Sequence, residues 1–506
     1  MSWVVKDLEL NANSIHYLVD LDANKYIDII YSNDGKLNVA LQSFHSNSVV
    51  FESSALDIPG LNVNDIVKVY ATSLNADEFN DLVIITQTNI ICYEATSLTS
   101  YKESSSKPKI DITSKDKVVV RDINYDGVSE IFLISNSKLK IYTSDPNTPL
   151  GNYNIVELDN VVDILFIDSN GDCKTDLFVQ TDSGYTIYQL NPEATKSNAP
   201  TFDQIYSEIG KSTTKICNLI GIADFDRNGS LDVLYDDCNS LMVLKNTMQG
   251  STTCLLEDEV LGASFTSQSV TVDGYLIDKS NTFCFGDYNS DSFIDIFYLY
   301  NKQIYMLENL TNFKFKQTKL ENSFDQFSCF DYNHNGFFNL LVTSSGKLQV
   351  LQDSKQVHNY FLKLSGLIDC PSCPSLPPFT FSNFKFYMSD EYGNKHGMAI
   401  SHSNIHLSLP YEWIGLGSIT NYIPQLSMAN LQVQTIDGII PNSHLYFFNS
   451  QILLYMKMGD AFIVIAVLIA STVLLMGLII YLQLKENKED DRLRMTSANR
   501  VLLRGL

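Results

Sequence analysis

Seven versions of one acidic loop recur along this 506-residue chain, and that repetition limits its fold more than any other feature. The fullest copy is Asp224-Phe225-Asp226-Arg227-Asn228-Gly229-Ser230-Leu231-Asp232, with carboxylate or amide side chains at positions 1, 3, 5 and 9 and an apolar run after them. The same frame stands at Asp20/Asp22/Asn24/Asp28, Asp122/Asn124/Asp126/Glu130, Asp168/Asn170/Asp172/Asp176 and Asp287/Asn289/Asp291/Asp295. Weaker copies are Ser73/Asn75/Asp77/Asp81 and Asp331/Asn333/Asn335/Asn339. Their first positions lie 53, 49, 46, 56, 63 and 44 residues apart. A period near 50 residues means an array or a closed ring of small units, each too small to bury its own apolar face.

Hard oxygen donors two residues apart in a tight turn suit calcium, which takes six to eight oxygens at about 2.3–2.6 Å. Asp, Asn and Gly also gather in turns because they tolerate turn geometry, but five loops keeping one acidic frame outweigh that reading. The helix–loop–helix calcium motif needs a bidentate Glu at position 12. That position holds Tyr31, Ile84, Leu133, Val179, Tyr235, Tyr298 and Val342, which excludes it. The residues after position 9 are apolar, β-branched or aromatic, as in Ile29-Ile30-Tyr31 and Ile296-Phe297-Tyr298. A run such as Ile164-Leu165-Phe166-Ile167 precedes each loop. Short apolar runs between turn signals read as buried strands, so the frame is strand, acidic loop, strand. The Ser73 loop lacks an acid at position 1 and the Asp331 loop has a single carboxylate, so both are poorer metal sites.

These loops resemble the FG-GAP repeats of the integrin α-chain propeller. The resemblance implies an all-β, seven-bladed FG-GAP-type β-propeller over residues 1–362, with structural Ca2+ in a loop between the first two strands of each blade. Trp3-Val4-Val5 is expected to help close the ring, and Ile15–Val19 to begin the first blade.

Ala461–Leu482 carries no charge and is long enough to span a bilayer as a helix. Lys485, Lys488, Arg492, Arg494, Arg500 and Arg504 follow it, placing residues 483–506 in the cytoplasm by the positive-inside tendency. The expected protein is a single-pass type I membrane protein of the plasma membrane or an endomembrane, with its N-terminal region extracellular or lumenal. Met1-Ser2-Trp3-Val4-Val5-Lys6 does not begin a signal peptide. The sequence is therefore expected to start late, unless the helix inserts by another route. The formal net charge of −23, without a basic patch, argues against nucleic acid as a partner.

Nine cysteines are an odd number for an extracytosolic chain. Cys92, Cys173, Cys284 and Cys329 read as buried free thiols. Cys217 and Cys238 would pair if their strands are neighbours, and Cys370-Pro371-Ser372-Cys373 reads as a local disulfide. Of two glycosylation sequons, Asn228 lies inside a metal loop and is discounted, whereas Asn309 stands beside a turn and is the expected acceptor.

The repeat stops near Tyr360. Residues 363–455 alternate as short strands and read as a small membrane-proximal β-sandwich. Pro410-Tyr411-Glu412-Trp413-Ile414-Gly415-Leu416-Gly417, Asn421-Tyr422 and Ile439-Ile440-Pro441-Asn442-Ser443, followed by a terminal membrane helix, resemble the T-cell immunomodulatory protein family. The resemblance implies a type I membrane glycoprotein with an integrin-like propeller and no known chemistry of its own. Gly415-Leu416-Gly417 itself reads as a tight turn between strands.

The eight histidines show no HExxH or GxSxG context, and His402 and His406, four apart but outside any helical pattern, are not expected to form a metal pair. No catalytic residue and no small-molecule substrate are expected. The expected function is protein interaction on a propeller face, of an adhesion or immunomodulatory kind. The competing readings are a structural subunit of a membrane complex and a calcium-dependent hydrolase or lyase acting on glycans or lipids.

Overall fold

The computed structural model describes residues 3–502 except 46–47, 76, 78, 106–108, 124–126, 144–153, 191–201, 203–205, 249–253, 256–261, 273–281, 354–359, 368–378, 381–382, 390–394, 402–408, 410, 418–422, 430–432, 449–450 and 456–458. Cys370, Cys373, His402 and His406, and the ligand candidates Asn124 and Asp126, lie outside the described residues.

Residues 1–455 form one compact unit and residues 456–506 another. In the first, seven sheets, antiparallel except where Thr271–Val272 runs parallel to Lys314–Lys319, follow one another along the chain as propeller blades. The first blade runs Ser14–Val19, Asp28–Asn33, Lys36–His45 and Ser48–Ala55 in sequential order. The innermost strands of successive blades neighbour one another, as Ser14–Val19 does Ile66–Thr72. The second strand of each blade is packed on both faces by adjacent blades, which is why Asp28–Asn33, Asp81–Thr86 and Asp176–Thr181 are buried almost throughout and read as unbroken apolar runs.

The N-terminal strand Trp3–Asn11 pairs antiparallel with Lys347–Asp353 and becomes the outer strand of the seventh blade. Joining the first and last strands of the repeat region in one sheet closes the ring and leaves no open seam there. This is the role expected of Trp3-Val4-Val5.

Two further sheets form a β-sandwich. One contains Tyr360–Leu367, Phe379–Thr380, Glu412–Gly417, Ser443–Phe448 and Gln451–Tyr455, and the other Asn383–Ser389, Lys395–Ser401, Ile423–Ala429 and Val433–Ile439. Tyr360–Leu367 runs across the expected boundary and pairs wholly within this second domain. Phe225, Leu234 and Ile296 of the propeller share one apolar core with Leu362, Phe384, Met398 and Leu426 of the sandwich. Apolar surface buried from both sides joins the two domains. Gly415-Leu416-Gly417 is the end of a strand rather than a tight turn, because Gly415 and Gly417 pair with Phe361 and Tyr360 of the neighbouring strand.

The second unit is the helix Gly459–Leu502, within which Ile465–Met495 is long and apolar enough to cross a membrane.

Candidate metal centres on the acidic loops

Each loop links the innermost strand of a blade to the next, and its side chains are set by the backbone they serve. Positions 4 and 6 turn through left-handed conformations: Ala23 and Lys25, Gly171 and Cys173, Arg227 and Gly229, Ser290 and Ser292, His334 and Gly336. This winding points successive amides inward at the position-1 carboxylate. Asp20 accepts from Asn24 and Lys25 at 3.0 and 2.8 Å, and Asp224 from Asn228 and Gly229 at 3.1 and 2.9 Å. Asp287 accepts in the same way from Asp291 and Ser292 at 2.9 and 2.7 Å. Only glycine meets the left-handed requirement without steric cost, as Gly229 and Gly336 do at position 6.

Position 9 has a structural job that the spacing alone did not reveal. One oxygen of Asp28, Asp81, Glu130, Asp176, Asp232 and Asp295 accepts the amide of position 2, and Asn339 does the same through Oδ1. The other oxygen of Asp28, Asp81, Asp232 and Asp295 takes the amide fourteen residues on, from Gln42, Ala95, Asn246 and Asn309 respectively. The carboxylate ties the loop entry to the third strand of its own blade.

Among the described residues, two loops gather three carboxylates around one point. Asp20, Asp22 and Asp28, and likewise Asp224, Asp226 and Asp232, place one oxygen each within 4.8 Å of one another. Asn24 and Asn228 sit beside them and send their side-chain NH2 groups to the carbonyls of Gln42 and Asn246. Burial, then the charge of Asp22, pushes Asp20 up to about 8, and burial, then Asp226, pushes Asp224 up to about 7. Asp28 and Asp232 are raised well above the ordinary carboxylate value by burial and by the other two acids of each loop. A buried Asp226 oxygen, Oδ1, lacks a hydrogen-bond partner, while Oδ2 pairs with Lys245 at 2.5 Å on the more open side. An oxygen-only donor set, buried and self-repelling, fits a hard divalent cation in both loops.

The other loops are arranged differently. Burial, then Asp291, raises Asp287 to about 8, and Asp295 is raised well above the ordinary range; Asn289 donates to Asp291 at 2.9 Å, as Asn24 does to Asp22. In the Asp168 loop burial raises Asp168 to about 6 against the opposing pull of Lys385, and Asn170, Asp172 and Asp176 are all buried. The Asp122 loop is described only at Asp122 and Glu130 among its expected ligands, both buried.

Four of the loops also hold the second domain. Lys363 pairs with Asp331 at 2.5 Å, both buried, and Lys385 approaches Asp168 at 4.0 Å and the Gly171 carbonyl at 3.3 Å. The amides of Ala399 and Gly415 donate to Asp224 and Asp287, each at 3.0 Å. A Cβ on Gly415 would come within 2.3 Å of the Asp287 carboxylate, so glycine is needed for this approach.

Asn309, the expected glycan acceptor, is instead a buried latch between blades. Its NH2 group donates to the carbonyls of Phe225 at 3.0 Å and Ile294 at 3.3 Å, and it is 2% exposed. A glycan needs a free, exposed amide nitrogen, so the structure corrects that expectation. Asn246 donates to Ser169 and Gln42 to Tyr332 in the same way, each joining a blade to the one before it in the ring. The signal was an amide fourteen residues after position 9, which only the folded ring makes meaningful.

The cysteines need correction too. Cys173 bonds Cys254, and Cys284 bonds Cys329, rather than staying as thiols; Cys217 pairs with Cys238, and Cys92 is buried. Cys284 and Cys329 lie on the adjoining inner strands of blades six and seven, 5.9 Å apart at Cα.

A cavity of about 100 Å³ lies where the sandwich meets the inner strands of blades five to seven, walled by Phe283, Phe338, Tyr411 and Trp413. The carboxylates of Asp224 and Asp331 at its edge are committed to the contacts above. Beyond it, Ser365 Oγ lies 2.8 Å from His444 Nε2, and Tyr446 Oη 2.9 Å from His444 Nδ1. Ser365 is 1% exposed and burial holds His444 well below the ordinary imidazole value, so this contact reads as a buried polar network. Seventy-nine residues separate Ser365 from His444, which is why scattered histidines in the sequence gave no sign of it.

Comparison with known proteins bears on the second domain. Residues 380–454 match the family model described as ITFG1, C2 domain. No curated protein matches the chain. Among solved structures, an Agrocybe aegerita lectin described as recognising non-reducing terminal N-acetylglucosamine is 11% identical, with 75% of this chain and 93% of that chain covered and a TM-score of 0.44. BBS1N in complex with ARL6DN is also 11% identical, with 70% and 98% covered and a TM-score of 0.39. Neither likeness bears on what this chain does. The family match covers most of the second domain, and it supports the resemblance of the chain to the T-cell immunomodulatory proteins.

Proposed function

We propose that this protein is a non-enzymatic, single-pass membrane protein whose calcium-stabilised propeller binds a protein partner on the extracellular or lumenal side. The observation that carries the reading is the set of three disulfides within the propeller of a chain with, among the described residues, one membrane-length helix. Disulfides persist in oxidising compartments, where millimolar calcium is also found. Asp20, Asp22 and Asp28 in one loop, and Asp224, Asp226 and Asp232 in another, would hold the ions, with Asn24 and Asn228 beside them. The ion supplies charge compensation and fixes the loop.

The sandwich lies against the loops of blades four to seven, so the partner belongs on the opposite face of the ring, where loops on a rigid frame remain available. Protease protection of the full chain in sealed membranes tests the orientation. Cross-linking and capture from the same membranes tests the function. Recovery of a defined protein that depends on calcium supports the reading. Turnover of glycans or lipids by the purified chain, with no partner captured, would reverse it in favour of the enzyme.

A further inference from the structure

We propose that two of the seven loops take a buried cation from the second domain: Lys385 serves the Asp168 loop and Lys363 the Asp331 loop, in place of a divalent ion. This rests on the calcium reading of the Asp20 and Asp224 loops. The two lysines come from different strands of the second domain, Asn383–Ser389 and Tyr360–Leu367, and each is 2% exposed. A lysine so deeply buried requires a paired charge, and each finds one at position 1 of an acidic loop: Asp331 at 2.5 Å and Asp168 at 4.0 Å.

The two loops balance differently. The Asp331 loop holds one carboxylate with amides at Asn333, Asn335 and Asn339, so one ammonium neutralises it. The ring of Tyr411 lies 4.6 Å from the Lys363 nitrogen and adds a second favourable contact for the cation. The Asp168 loop holds three carboxylates, and one buried oxygen, Asp176 Oδ1, has no hydrogen-bond partner. Lys385 answers only one of those charges. It reaches into the loop itself, bonding the Gly171 carbonyl at 3.3 Å, and a Cβ at Gly171 would stand 2.8 Å from its nitrogen.

Two consequences follow. The Asp168 loop is a divalent-cation site that docking of the second domain closes, because ion and ammonium compete for Asp168. Docking, in turn, depends on loop charge and places the amides of Ala399 and Gly415 on Asp224 and Asp287. Those two amides report docking directly.

The test uses the full chain in detergent, with calcium alone as the probe. Bound calcium is counted by equilibrium dialysis for the wild type, Asp168→Asn, Asp224→Asn, Lys385→Met and Lys385→Met/Asp168→Asn. Amide exchange at Ala399 and Gly415 is followed for Lys363→Met/Lys385→Met. The proposal expects Asp168→Asn to leave the wild-type count unchanged and Lys385→Met to raise it by one. Lys385→Met/Asp168→Asn should bring it back. Exchange at both amides should quicken by at least about a hundredfold, as expected when a buried pair loses one partner. Loss of one ion in Asp168→Asn alone would overturn it, as would unchanged exchange in the double-lysine variant. If no variant binds calcium, the calcium reading falls together with the competition at Asp168, whereas loss at Asp168 with binding retained at Asp224 removes this inference only.

Discussion

Calcium should raise the thermal stability of the full chain by an amount set by the number of loops that gather three carboxylates. A ligand that binds only the folded state stabilises by RT ln(1 + [L]/Kd), about 2.7 kcal/mol per site at a hundredfold excess over Kd. The Asp20 and Asp224 loops together give about 5 kcal/mol, and Asp224→Ala/Asp226→Ala should remove about half. The effect should also depend on pH. Asp20 and Asp224, at about 8 and about 7, lie above their unfolded value of 3.8, so the metal-free folded state binds more protons than the unfolded chain. Their contribution is therefore fully present below about pH 4 and lost as pH rises through 7 to 8. For Asp224 that loss is at most about 4 kcal/mol, at 1.36 kcal/mol per unit. Calcium has to displace those protons, so its stabilisation is larger at pH 8 than at pH 6. The assay is a thermal melt in detergent with calcium, magnesium or chelator at both pH values. Magnesium should do less, because it demands near-octahedral geometry at about 2.0–2.1 Å and gives up water reluctantly. Identical melts in calcium and chelator at pH 8 would refute the reasoning and leave the loops as turns held by their own backbone.

Other outcomes follow from individual contacts. Asn309→Ala should destabilise the propeller by about 1–3 kcal/mol in a urea titration by stranding the buried carbonyls of Phe225 and Ile294. Mass spectrometry of the wild type should find Asn309 without a glycan. His16, which burial lowers to about 4, stays neutral in the fold while the unfolded chain protonates near 6.5. Its contribution is present above pH 6.5 and falls by about 3 kcal/mol as pH drops toward 4, a decline that urea titrations should find missing in His16→Gln. Opening Cys173–Cys254, which closes an 81-residue separation, should cost about 4–5 kcal/mol on chain entropy, against about 3 kcal/mol for Cys217–Cys238 at 21 residues. Denaturant melts of Cys173→Ser/Cys254→Ser and Cys217→Ser/Cys238→Ser would compare them, and a larger loss in the second pair would contradict the entropy argument.

What the sequence determined is what repeats locally. Seven acidic frames at a near-constant period, each between buried apolar runs, are enough to imply blades, because position in such a loop fixes which side chain meets which nearby amide. Ala461–Leu482 is legible for the same reason: spanning a bilayer is a matter of length and charge along one segment. The tertiary structure decided everything that depends on two distant segments meeting. Asn309 looked like an exposed acceptor until the ring placed it against Phe225 in the neighbouring blade. Cys284 and Cys329 looked like separate thiols until adjoining inner strands brought them together. The Asp168 loop looked like the other full copies until the second domain laid Lys385 on it, as it lays Lys363 on the poorer Asp331 loop. Side-chain type and spacing fix short-range hydrogen bonding and strand propensity, whereas burial and partnership are properties of the packed ring.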